Sequence, residues 1–118
     1  MNKPKKLIRE SMINTIPPEE RERITDKIEL NHLYALKIQE ELQEIQRSGH
    51  KDLSEFADLL QVVIDFAGAN GFSDHEVTHA RECKENAKSW YENLVLTNLN
   101  PHNPSNALYF QTPPPDAG

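Results

Sequence analysis

The residues of this chain best suited to chemistry are two acidic pairs at helical spacing. Glu41 and Glu44, preceded by Glu40, lie in EELQE; Glu55 and Asp58 lie in EFAD. An i, i+3 pair places two carboxylates on neighbouring turns of one helix face. Glu41 borders the apolar arc of its segment with Glu44 beside it. Glu55 projects from inside the arc of the next segment, between the directions of Val62 and Phe66, with Asp58 at the edge. A bare carboxylate in such a place is costly or retains its proton. Two antiparallel helices joined by the short RSGHKD turn would bring the pairs together, and four converging carboxylates repel unless a hard cation binds, Mg²⁺ or Mn²⁺ by the preference of oxygen ligands. At least one pKa in the group is then raised. The plainer readings are that EELQE is a solvated helix face and that Glu55 closes a capping box begun by Asp52.

A second motif belongs to another chemistry. HEVTH at residues 75–79 fits the HExxH of zinc peptidases, with His75 and His79 as ligands and Glu76 as general base. Against it, Glu76 is three residues after Ser73 and suits a capping box, both histidines point off the apolar stripe, and the only downstream third ligand to suggest is Glu92. Exposed histidines are the default expectation. Cys83, the one cysteine, can form no intramolecular disulfide.

The elements that position these residues read as helices. Residues 30–47 hold no Gly or Pro and end before Gly49; a second helix spans about 53–70 and ends at Gly71; Ser73 opens a third, expected to continue to about residue 93. Pro17 and Pro18 before Glu19 and Glu20 open a short helix. At about 100° per residue, Tyr34, Ala35, Ile38, Leu42 and Ile45 share the core face of the first helix, with Leu33 and Leu36 on its other side. Apolar residues cover well over half of the second helix. No strand alternation and no repeat appear, so the expected class is all-α. Three helices cannot cover so wide an apolar surface, and self-association completing a bundle as a homodimer or homotetramer is expected.

Composition narrows the function. The chain has 118 residues, 36% hydrophobic, with 13 basic against 19 acidic residues and a net charge of −6. That length suits one small core, and the acidic balance argues against a nucleic acid polymer as partner. No run approaches the roughly 18 apolar residues of a membrane helix, and residues 1–6 lead into no apolar export segment, so a soluble cytoplasmic protein without membrane contact is expected. Residues 97–118, rich in Asn and Pro, read as a C-terminal tail in which Leu108, Tyr109 and Phe110 are the docking side chains; residues 1–96 form the helical domain.

EELQE followed by EFAD resembles the EExxE and ExxD pair of the all-α nucleoside triphosphate pyrophosphohydrolases, which include the MazG-like proteins and phosphoribosyl-ATP pyrophosphohydrolase. KKLIRE at Lys5 to Glu10 is similar to the KLVRD opening one phage and bacterial branch; KIQEELQEI matches its KLxEExxE; ADLLQVVIDFAGANGFS looks like its long helix and following turn. The likeness spans residues 5–96, and AKSWYENL stands where that branch has a Gly-Gly-Phe segment. It implies a MazG-like helical bundle in which Glu41, Glu44, Glu55 and Asp58 hold Mg²⁺, Glu40 or Glu41 acts on the attacking water, and a nucleoside triphosphate yields the monophosphate and pyrophosphate. Lys84, at the edge of the third helix's stripe between Val77 and Tyr91, is the first phosphate-binding expectation or else a snorkelling lysine. Arg9 and Lys88 are further ones or plain surface bases, and Tyr91 or Trp90 stacks on a base or packs in the core. The non-enzymatic alternative is a helical module whose wide apolar faces serve a partner.

Overall fold

The computed structural model describes residues 3–111, and the last seven residues of the expected tail lie outside them. Three α-helices follow in order: α1, Lys27–Arg47; α2, Leu53–Ala69; α3, Asp74–Lys88. Short 3₁₀ turns occupy Glu10–Thr15, Pro18–Glu20 and Pro104–Phe110, and no strand occurs among the described residues. The regular structure of the described residues is thus all-helical. None of its described helices is long and apolar enough to cross a membrane.

Each helix begins at a side-chain cap. Asp26 accepts from the Glu29 backbone N–H, Asp52 from that of Ser54, and Ser73 with Glu76 makes the reciprocal capping box expected from sequence. The α1 helix starts three residues before position 30 because Asp26 supplies that cap. It ends where Gly49 and His50 turn left-handed, at φ 71° and 64°, and the His50 N–H donates to the Ile45 carbonyl at 3.0 Å. The α3 helix stops at Lys88, five residues short of the expected end. Ser89 takes φ 66° and the weak helix formers Trp90 and Tyr91 follow. Trp90 and Tyr91 are consequently exposed instead of packed in a third-helix core.

The α1 and α2 helices run antiparallel. Asn70 at the end of α2 donates to Asn31 near the start of α1 at 2.9 Å, Lys27 donates to the Ala69 carbonyl, and the Tyr34 and Phe66 rings stack 5.2 Å apart. The α3 helix packs only on α2. The core face of α1 is rotated from the expected one: Leu33, Glu41 and Ile45 are its buried residues, whereas Leu42 is 47% exposed. On the Leu33 side the N-terminal segment lies close, where Lys5, Lys6 and Leu7 line a small void together with Leu33, Leu36 and Lys37. Lys5 pairs with Glu22 and Glu29 and Lys6 with Glu40, fastening that segment.

Among the described residues only two apolar side chains, Leu33 and Ile45, are buried, and none in α2. Leu53, Phe56, Leu60 and Val63 leave one side of α2 open. The radius of gyration, 17.7 Å, exceeds the about 13 Å expected for a compact chain of this length. The 3₁₀ turn at Pro104–Phe110 keeps Leu108, Tyr109 and Phe110 largely exposed, so they do not dock.

Candidate metal centre

The helical hairpin brings residues from both acidic motifs together. Glu41 on α1 and Glu55 and Asp58 on α2 each place one carboxylate oxygen within 4.8 Å of the other two, the one such grouping of metal-ligating side chains among the described residues. Antiparallel packing makes this meeting, since Glu41 lies late in α1 and Glu55 and Asp58 in the first turns of α2. Glu41 is 9% exposed, inside the interface instead of at its border. Glu44 does not join the other three. It lies one turn further along and pairs with Arg47.

Glu55 makes no capping box: the Asp52 carboxylate takes the Ser54 N–H and hydroxyl, at 2.9 and 2.7 Å, and the Glu55 side chain remains with the other acids. Burial pushes the Glu55 carboxyl above its ordinary value, and the charges of Asp52, Asp58, Glu44 and Glu41 push it further the same way. Three converging hard oxygen donors, one of them buried and another reluctant to ionise, fit a small divalent cation.

Cations of the protein itself surround the group. Arg9 Nη2 donates to Asp58 Oδ1 at 2.7 Å. Glu40 lies between Lys6 and Lys37, each at 3.1 Å, and is not one of the three converging acids; Lys37 is also 3.7 Å from Glu41. Burial pushes the Glu40 carboxyl up, but hydrogen bonds from the two lysines and their charges outweigh this and hold it below the ordinary range. Sequence reasoning missed Lys37, although its i, i+3 and i, i+4 spacing to Glu40 and Glu41 was a usable signal. It also left Arg9 without a partner, since nothing in a linear sequence pairs a residue of the N-terminal segment with α2.

The remaining expected residues lie elsewhere. Lys84 and Lys88 are exposed on α3 and Tyr91 is fully exposed beyond it; none makes a hydrogen bond or ion pair with the carboxylates among the described residues. Lys84 in particular does not point inward, because α3 covers only part of α2 and its own stripe is left open. In HEVTH, Glu76 is held by the capping box, both histidines are exposed with ring centroids 6.5 Å apart, and His79 Nε2 is 3.5 Å from Cys83 Sγ. Glu92 accepts from the Trp90 indole instead of meeting these histidines.

Compared with protein-family models, curated proteins and solved structures, the chain matches none.

Proposed function

We propose that this chain is a Mg²⁺-dependent nucleoside triphosphate pyrophosphohydrolase of the MazG-like type. The observation that supports it is the convergence of Glu41, Glu55 and Asp58 across the α1–α2 hairpin, three of the four residues to which the EExxE and ExxD resemblance assigns the metal. These three would hold Mg²⁺, with Mn²⁺ as its substitute. When bound, the ion would neutralise charge on the phosphates and acidify water. The side chains divide the remaining work. Glu40, kept ionised and occupied by two lysines, is a weak base, which leaves Glu41 to orient the attacking water. That water would form a bond to the α-phosphorus as its proton passes to Glu41, the bridging P–O bond to the β-phosphate would break, and pyrophosphate would leave with the electron pair. Arg9, already among the carboxylates, is the nearest cation to take a phosphate oxygen.

The open side of α2 supports self-association: Leu53, Phe56, Leu60 and Val63 present apolar surface that a second copy would cover. The same surface favours the alternative reading, a non-enzymatic helical module whose partner covers it. Product analysis separates the two. Incubation with canonical and modified nucleoside triphosphates and Mg²⁺ should release pyrophosphate, not phosphate; no hydrolysis with any divalent ion would favour the interaction module. The zinc-peptidase reading of HEVTH has the least support, because its proposed base serves as a helix cap.

A further inference from the structure

A cleft of about 1090 Å³ lies between the N-terminal segment and the first half of α1, just above the range of about 300–1,000 Å³ typical of small-molecule sites. Ile13, Ile16 and Ile24 form its apolar walls and remain half-exposed there. Tyr34 lines it as well, its ring fixed parallel to that of Phe66 with an interplanar angle of 5°. Charged side chains of both signs from residues 19–23 complete the lining. Arg9 lines the same cleft and also reaches Asp58 at 2.7 Å. The cleft and the carboxylate group therefore share one residue, Arg9.

That arrangement suits a ligand with an anionic head and a flat, partly apolar body. We infer that the cleft seats the nucleoside half of the substrate, the base against Ile13, Ile16, Ile24 and Tyr34, while Arg9 takes a phosphate where the cleft joins the carboxylates. The inference rests on the hydrolase reading and adds to it the place and chemistry of substrate recognition. Asp58 can obtain its counter-charge from Arg9 or from a divalent cation. With the cation in place, the guanidinium is available to donate two parallel hydrogen bonds to phosphate. Leu30 closes the α1 side of the cleft, so the base would contact side chains from both the segment and the helix.

The test uses the full chain with isoleucine methyl groups labelled for NMR, in Mg²⁺. The probes are α,β-methylene analogues of nucleoside triphosphates with each of the four bases, and inorganic pyrophosphate. The bound nucleotide should shift the methyls of Ile13, Ile16 and Ile24 and leave Ile64 on α2 unmoved, whereas pyrophosphate should bind without moving those three. Ile24→Ala should weaken the preferred nucleotide about tenfold and spare pyrophosphate; Arg9→Gln should weaken both. Nucleotide binding that leaves Ile13, Ile16 and Ile24 unmoved, or that Ile24→Ala does not weaken, overturns the cleft assignment while leaving the hydrolase reading intact. Binding of no probe overturns both.

Discussion

Arg9 and Asp58 are 49 residues apart in sequence, yet the guanidinium of one lies 2.7 Å from the carboxylate of the other. The contact carries the N-terminal segment across α1 to the first turns of α2 and places a positive charge at the edge of the acidic group. Both partners keep contact with solvent, so the pair contributes about 0–1 kcal/mol to stability. Its larger effect is on occupancy of the Asp58 oxygens. Arg9→Gln should change the melting temperature little and raise Mn²⁺ affinity, measured by titration calorimetry; unchanged affinity would show that Arg9 does not compete for Asp58.

Glu55→Gln tests the carboxylates as one unit. The folded pKa of Glu55 lies above its unfolded value. Below the unfolded pKa the group is protonated in both states and imposes no penalty; as pH rises through the window between the two values, folding stability falls. At pH 8 the Gln variant without Mg²⁺ should therefore melt at the same temperature as the parent or higher. Mg²⁺ at 100 times its dissociation constant stabilises a fold by about 2.7 kcal/mol, which for a chain this small is roughly 10 °C. That shift and turnover should fall together in Glu55→Gln, and an undiminished Mg²⁺ shift would remove Glu55 from the site.

Ile45 is 3% exposed and one of two buried apolar side chains among the described residues. Ile45→Ala should cost about 2–4 kcal/mol, a large share of the stability of a domain with so little core. Denaturant melts would read this as a lower midpoint, and a loss under 1 kcal/mol would mean the hairpin interface is not where the stability resides.

Leu60, 59% exposed on the open side of α2, is the residue whose replacement should separate protomers. Sedimentation of the parent at micromolar concentration should give a mass above the 13.6 kDa of one chain, and Leu60→Glu should reduce it to that value. A folded parent monomer would contradict the self-association reading.

Replacing His75 and His79 together with alanine should leave pyrophosphate release nearly intact, since neither touches the carboxylates. Loss of turnover together with bound zinc would restore the peptidase motif to consideration.

Helix positions were legible because their signals are local. Asp52, Gly49, Ser73 and Gly71 announce starts and stops in the sequence itself, and three helices appear where those residues set them. The meeting of Glu41 with Glu55 and Asp58 was legible for the same reason: a short turn between two helices leaves an antiparallel hairpin as the simple arrangement. What periodicity could not supply was the partner of each face. Periodicity puts Leu33 opposite the core and Glu41 at its border, yet both are buried, and Lys5, Lys6 and Leu7 lie beside Leu33. The end of α3 was misplaced because Ser89 is an ordinary residue in sequence and only its left-handed backbone stops the helix. Spacing and the family resemblance both group Glu44 with the ligands, whereas in the structure it pairs with its i, i+3 neighbour Arg47.

Lys5, Lys6 and Arg9 each fasten the N-terminal segment to a different stretch of the hairpin, at Glu29, Glu40 and Asp58. These contacts are ionic and near water, whereas α1 and α2 hold each other through stacked rings and aliphatic side chains. Added salt shortens the screening length from about 10 Å at 0.1 M to about 3 Å at 1 M, which weakens the fastenings and leaves the hairpin's apolar contacts intact. The segment should accordingly peel away at high ionic strength while the helices persist, uncovering Leu33 and giving a protease its first point of attack ahead of α1.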